Sequence, residues 1–175
     1  GWLDSGAGGP GGVRWLGELG SGNPMLVRPA ALKARGAAIG TGWAGSLTRG
    51  AGQFCTNPGI AVVIDGPDAD TMVQAATEAL KKTDPQTMLT DGIAEAYRSG
   101  QARIAKREGV REVLTSTCDQ RVATPYLYET TGAAWLANDA LGEEVFGTLG
   151  LVVRVTDANE MLAVAKRLQG QLNFT

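Results

Sequence analysis

At 175 residues, the chain has the length of one domain and enough material to bury a core. Its composition, 43% apolar and 19% charged, excludes a disordered chain, and a net charge of −2 offers no electrostatic basis for binding nucleic acid. No histidine is present, which excludes a Ser-His-Asp triad, a Cys-His dyad and any His-ligated metal formed by this chain alone; Cys55 and Cys118 cannot by themselves complete a zinc site, so no metal is expected.

In chain order, residues 1–12 (GWLDSGAGGPGG) are too rich in glycine to offset their backbone entropy and read as a flexible arm or as foreign to the fold. Val13 to Leu19 suits a short strand, Gly20 to Pro24 a turn, and Met25 to Val27 a second strand. Pro29 fits the first turn of a helix running to about Arg49. Its glycines at 36, 40, 42 and 45 imply close packing on another backbone, and Ile39, Trp43 and Leu47 form an apolar stripe. Ile60 to Ile64, apolar on both faces, predicts a central strand of a covered parallel sheet. Asp68 or Asp70 is expected to cap a helix from Ala69 to Lys82, and a further helix spans Asp91 to Arg107 with Ile93, Tyr97 and Ile104 on its apolar side. Strands follow at Val110 to Thr115 and Pro125 to Tyr128; Thr131 caps a short helix carrying Trp135 and Leu136. Leu149 to Val155 is a strand, Asp157 caps a helix to about Leu168, and Gly170 ends it ahead of the start of another strand. Alternating strands and helices predict an α/β domain over 13–175, with helices covering a largely parallel sheet in three layers.

No apolar run approaches the roughly 20 residues that span a bilayer, and Gly1 to Asp4 lacks the basic and apolar segments of a signal peptide. A cytoplasmic setting without membrane or nucleic-acid partners is the expectation.

Cys55 sits in GAGQFCTNPG, residues 50–59, where a buried structural cysteine would have Val, Leu or Ile as neighbours. Two readings follow from the residues alone: a reactive thiol on a bare backbone, or a turn that contains a cysteine. Glu18 alone reads as a solvated charge, the pair Glu143-Glu144 as an exposed helix start, Phe146 as core, Asn57 as a turn former, and Cys118 as a structural or surface thiol.

Three motifs in order decide between these. Gly17-Glu18-Leu19-Gly20-Ser21, Gly52-Gln53-Phe54-Cys55-Thr56 and Glu143-Glu144-Val145-Phe146-Gly147 together resemble the general-base, nucleophile and Glu-x-Phe-Gly segments of the aldehyde dehydrogenase superfamily. Glu18-Leu19-Gly20-Ser21 with Asn23-Pro24, Gly52 to Gly59 and the stretch Thr87 to Tyr97 together look like its 2,5-dioxovalerate (α-ketoglutaric semialdehyde) dehydrogenase group, which includes related bacterial fatty-aldehyde enzymes and commonly uses NADP. The resemblance covers about Leu16 to Leu172 and leaves residues 1–12 outside it. It implies oxidation of a small-molecule aldehyde, plausibly α-ketoglutaric semialdehyde, to a carboxylate with NADP or NAD. Cys55 would be the nucleophile and Glu18 the base; Glu144 would hold the nicotinamide ribose, with Phe146 near the nicotinamide ring.

The chemistry suits those residue types: a thiolate attacks the aldehyde carbon, and a carboxylate activates the water that hydrolyses the resulting thioester. The Cys55 backbone N–H is a candidate oxyanion donor. Thr148 stands where the wider family often has proline. The resemblance further implies that most cofactor contacts and an oxyanion asparagine lie on an upstream domain, that the full enzyme is a homo-oligomer, and that the chain alone does not transfer hydride at a useful rate. Two other readings of the isolated chain stand beside it: a Cys-dependent esterase or thioesterase, and a silent domain that packs on a partner.

Overall fold

A computed structural model describes residues 21–117 and 119–168 in full and the backbone of 2–5 and 15–18. Cys118, the Glu18 side chain and the readings beyond Leu168 lie outside the described residues. In chain order the elements are strands β1 (Trp2–Ser5), β2 (Trp15–Glu18) and β3 (Met25–Val27), helix α1 (Pro29–Thr48), strand β4 (Ile60–Ile64), helix α2 (Pro67–Lys81), strand β5 (Gln86–Thr87), helix α3 (Asp91–Ala105), strands β6 (Val110–Leu114), β7 (Val122–Ala123) and β8 (Tyr126–Thr131), helix α4 (Gly132–Ala137), strand β9 (Leu149–Val155) and helix α5 (Ala158–Arg167).

The main sheet has the order β3-β4-β9-β8-β6. Its first four strands are parallel, and β6 runs antiparallel to β8 at one edge. Side chains alternate strictly across it. Ile60 and Val62 of β4, Leu151 and Val153 of β9, and Tyr126 and Tyr128 of β8 pack with Tyr97, Ile104, Trp135 and Val164 from α3, α4 and α5. Ala61, Val63, Val152 and Leu127 face the other way, onto Trp43, Leu47, Met72 and Leu80 of α1 and α2. Burial on both faces gives the continuous apolar runs of β4 and β9. The result is the expected three-layer α/β architecture.

Close helix packing explains two of the four glycines in α1. A Cβ at Gly40 would lie 2.1 Å from the Met72 carbonyl oxygen, and one at Gly36 would lie 3.2 Å from that of Asp68, so the α1 and α2 backbones touch there. Gly42 and Gly45 face open space. Trp43 and Leu47 cover Gly150 of β9, while Ile39 is only half-buried.

Several local expectations are corrected. Neither Asp68 nor Asp70 caps α2: Pro67 starts the helix behind Gly66, and both aspartates fall in the first turn. Strand β8 extends past Tyr128 through Glu129, Thr130 and Thr131 because a buried ion pair compensates Glu129. The strands β5 and β7, paired antiparallel as a separate two-stranded sheet, were not anticipated. Within residues 1–12, Trp2–Ser5 forms β1, paired antiparallel with β2, a ladder that needs only backbone groups. The caps at Thr131 and Asp157 stand as read: Thr131 Oγ1 accepts from the Ala134 N–H, and Asp157 Oδ1 accepts from those of Asn159 and Glu160.

Across the carboxyl ends of β4, β9 and β8 lies a charge network on the α2 face. The Arg154 guanidinium donates to Glu129 Oε1 at 2.9 and 3.0 Å, to Asp65 at 2.7 Å and reaches Asp70 at 2.9 Å. Arg111 pairs with the other oxygen of Glu129. Burial opposes the charge on Arg154, but its bonds to Glu129, Asp65 and Asp70 outweigh this and hold it above the ordinary arginine range.

Candidate active site

Each segment singled out in the sequence runs into the amino end of a neighbouring parallel strand. Ser21 to Pro24 lead into β3, Cys55 to Gly59 into β4, and Glu143 to Thr148 into β9. Because β3, β4 and β9 are adjacent in the sheet, residues more than a hundred positions apart meet at one end of it.

The Cys55 loop begins where α1 ends. Arg49–Gly52 form a 3-10 turn in which Gly50, Ala51 and Gly52 all have positive φ, of 57°, 57° and 69°. Ala51 lacks glycine's freedom, and holding it there costs about 1–3 kcal/mol unless its surroundings compensate. Gly52 has no alternative: a Cβ there would lie 2.2 Å from the Gly147 carbonyl carbon and 2.7 Å from the Thr148 nitrogen. The Cys55 loop and the loop of Glu144 and Phe146 are thus in backbone contact. Cys55 follows in a turn and is exposed. Among the described residues its N–H meets no acceptor.

Two asparagines tie the loop down. Asn57 is buried and its Nδ2 donates to the carbonyls of Leu47 and Gly52, at 3.0 and 2.9 Å, which closes the loop on the end of α1. It is a cross-brace as well as a turn residue. Asn23, also buried and at φ 41°, donates from Nδ2 to the Cys55 and Asn57 carbonyls at 2.8 and 2.9 Å. The turn behind Glu18 is therefore bonded to the residue that bears the thiol. In the sequence Asn23 reads only as part of a turn and a motif, and its bracing role was missed, although a signal was visible: Asn-Pro occurs twice, at 23–24 and 57–58, each time just ahead of a strand.

The acidic pair divides. Glu143 is bridged to Arg103 of α3 at 3.2 Å, whereas Glu144 Oε2 accepts from the Ser21 N–H at 3.0 Å. Glu144 thereby links the β9 approach to the turn behind Glu18. Phe146 is half-buried and lines the same cleft as Ser21, Gly52, Asn57 and Glu144. That cleft holds about 30 Å³, room for a water or two and not for a ring system. Thr148 is buried and its hydroxyl pairs with that of Tyr97 at 3.0 Å, giving the threonine a partner that a proline would not supply. Glu18 closes β2 opposite Trp2, just ahead of Ser21.

On the other side of the loop a larger hollow, about 780 Å³, opens against α1. Phe54 and Thr56, the immediate neighbours of Cys55, line it together with Trp43, Ser46, Arg35 and Arg49. Among the described residues neither arginine is in a salt bridge. Arg49 is a second residue that the sequence reading passed over.

No protein-family model matches the chain. It is 48% identical over 160 residues to α-ketoglutaric semialdehyde dehydrogenase 2 of Azospirillum brasilense, covering 90% of this chain and 30% of that protein. It is 31% identical over 166 residues to the α-ketoglutaric semialdehyde dehydrogenase of Acinetobacter baylyi, covering 93% of this chain and 32% of that protein. The chain thus spans about a third of the length of these relatives. In fold it is similar to an NAD-dependent benzaldehyde dehydrogenase of Corynebacterium glutamicum, with a TM-score of 0.67 at 20% identity over 86% of this chain and 33% of that one. The ordered motifs, the likeness in sequence over nine-tenths of the chain and the shared fold agree: the chain is a relative of the α-ketoglutaric semialdehyde dehydrogenases along its matched length and has the fold of a segment of the aldehyde dehydrogenases.

Proposed function

We propose that this chain provides the nucleophile and general base of an NAD(P)-dependent aldehyde dehydrogenase acting on α-ketoglutaric semialdehyde. The observation that carries the reading is the exposed Cys55 thiol, seated on a turn that Asn23 and Gly52 bind to the two other motif-bearing segments. Cys55 Sγ, as thiolate, bonds to the aldehyde carbon while the carbonyl electron pair moves to oxygen, and the Cys55 N–H would donate to that oxyanion. NAD(P), when bound, supplies the hydride acceptor that turns the adduct into a thioester. Glu18 takes a proton from the water that attacks this thioester, and the thiolate of Cys55 leaves as the carboxylate product forms.

The residues on this chain fit part of the nucleotide. A carboxylate such as Glu144 accepts from a ribose diol, and the Phe146 ring offers a flat apolar neighbour to a nicotinamide. The cleft they line is too small to enclose the ring, so the nucleotide would lie against its mouth, with further contacts from elsewhere in the protein. The substrate side favours a semialdehyde with a remote carboxylate, because Arg35 and Arg49 bring positive charge to the hollow beside Cys55. The whole protein is read as a cytoplasmic homo-oligomer; no helix of the described residues is long and apolar enough to cross a membrane, and β3 and β6 are sheet edges.

The test is aldehyde-dependent reduction of NADP and NAD by the full-length protein, wild type and Cys55→Ser. Loss of at least ~1,000-fold in kcat is expected for the serine variant. Reduction that survives the substitution would exclude Cys55 as nucleophile.

A further inference from the structure

Beside the nucleophile loop, the short strand β5 and the residues after it form a strip with no part in the chemistry above. It is held by hydrogen bonds of its own. Met88 is fully buried and its N–H donates to the Arg121 carbonyl at 2.8 Å. The Arg121 guanidinium returns bonds to the Met88 carbonyl at 2.7 and 3.0 Å and to that of Leu89 at 2.6 Å. Its edge meets the nucleophile loop through two glutamines of opposite sense. Gln86 Oε1 accepts from the Ala51 N–H at 2.5 Å, and Gln53 Oε1 accepts from the Leu89 N–H at 2.8 Å. Gln53 Nε2 also donates to the Gly50 carbonyl at 3.0 Å, within the turn itself.

The two side chains do the work of a strand ladder between segments whose backbones do not pair. They grip the loop at Ala51 and Gln53, on both sides of Gly52 and just ahead of Cys55. Ala51 is also the one residue of the turn that holds a positive φ without being glycine. The bond to its N–H therefore acts where the backbone is least inclined to stay.

We propose that Gln86, with Gln53, is a positioning residue for the nucleophile: its side-chain oxygen fixes the left-handed turn at Ala51 and so sets where Cys55 Sγ stands relative to the aldehyde carbon. The inference rests on the reading of Cys55 as nucleophile. Gln86 touches neither substrate nor reacting atoms in this account; it acts through the turn. The acceptor matters and the length of the side chain does not suffice. Methionine at 86 keeps the reach and loses the oxygen, whereas glutamate keeps both.

The experiment uses the full-length protein with wild type, Gln86→Met, Gln86→Glu, Gln53→Leu and Cys55→Ser. Turnover is expressed per mole of folded protein, taken from the monodisperse fraction on size exclusion with a wild-type circular dichroism spectrum, so that a misfolded fraction is removed before rates are compared. Gln86→Met and Gln53→Leu should each lose roughly 10- to 100-fold in kcat per site, the scale of a positional error near 1 Å, while KM for the nucleotide stays within about twofold. Gln86→Glu should stay within about fivefold of wild type, because its carboxylate still accepts from the Ala51 N–H. Wild-type kcat per site in Gln86→Met would overturn the proposal, and so would a Gln86→Glu variant as slow as Gln86→Met. Full oxidation by Cys55→Ser would instead overturn the nucleophile reading itself. Should Gln86→Met yield no folded protein, Gln53→Leu and Gln86→Glu carry the same comparison.

Discussion

Gly52→Ala would put a methyl group where the site has no space for one. A Cβ at this position lies 2.2 and 2.3 Å from the carbonyl carbon and oxygen of Gly147 and 2.7 Å from the Thr148 nitrogen. All three atoms are backbone, so no side chain can swing aside, and the two loops must separate by on the order of 1 Å to restore ordinary contact. Overpacking of this kind costs about 1–3 kcal/mol. The φ of 69° adds the penalty of a left-handed alanine, about 1–2 kcal/mol. The sum, about 2–5 kcal/mol, is a large part of the stability of an ordinary domain. Gly42→Ala is the control: it sits inside α1, its Cβ would meet nothing within 4 Å, and it should stabilise by up to ~1 kcal/mol. Urea denaturation of the chain, followed by tryptophan fluorescence, should move the Gly52→Ala midpoint down by roughly 1–2 M and the Gly42→Ala midpoint slightly up. Iodoacetamide should also label Cys55 at a changed rate in the first variant only. A Gly52→Ala midpoint at or above wild type would refute the backbone contact between the loops.

Further outcomes are expected for four substitutions. Glu129→Gln removes the buried carboxylate shared by Arg154 and Arg111 and should cost about 2–4 kcal/mol in urea denaturation, less than a full orphaning because Asp65 and Asp70 still face Arg154. Asp70→Asn, on the exposed side of the same network, should cost under ~1 kcal/mol, and equal losses would contradict the described burial. Burial, and to a smaller degree the charge of Glu112, push the Tyr128 phenol up against the opposing bond from Gln101. With its folded value raised, Tyr128 contributes stability that is complete below the unfolded value, about pH 10, and is lost as pH rises through the folded one. Melting temperatures between pH 8 and 11 should therefore fall less steeply in Tyr128→Phe than in wild type, and parallel curves would exclude this source. Arg49→Gln in the full-length protein should raise KM for α-ketoglutaric semialdehyde by about 10-fold and leave that of an uncharged aldehyde within about twofold; equal effects on both would remove Arg49 from carboxylate recognition.

The parts of this molecule that were legible in the sequence are those governed by short-range rules. The apolar runs of β4 and β9 can be buried only on both faces, and the hydroxyl of Thr131 and carboxylate of Asp157 cap helices because nothing else nearby satisfies the first N–H groups. Strands β5 and β7 were invisible because two residues carry no period, and the bond from Arg121 to the Met88 carbonyl that ties them together spans 33 residues. Glu129 read as the end of a strand because its partner Arg154 lies 25 residues on. In the site, the motifs pointed to Cys55, Glu144 and Phe146, and the structure gathers their segments at one sheet end. The bracing roles of the amide side chains of Asn23, Gln53 and Gln86 were not legible because they lie wholly in what these groups bond to, 32, 36 and 35 residues away.

The adjacency of β3, β4 and β9 makes the sheet a ruler for the chemistry. A strand advances about 3.3 Å per residue, so β9 slipping by two positions against β4 would keep every side chain on its proper face yet carry Glu144 roughly 6–7 Å away from the Cys55 loop. Hydrophobic burial alone does not forbid that slip. Arg154 does, because it grips Glu129 on β8 and Asp65 beyond β4 at once, at the end of the sheet opposite the thiol. The spacing of the groups proposed for catalysis is thus set by a latch on the far side of the sheet, and a lesion there should blunt activity without touching any residue of the cleft.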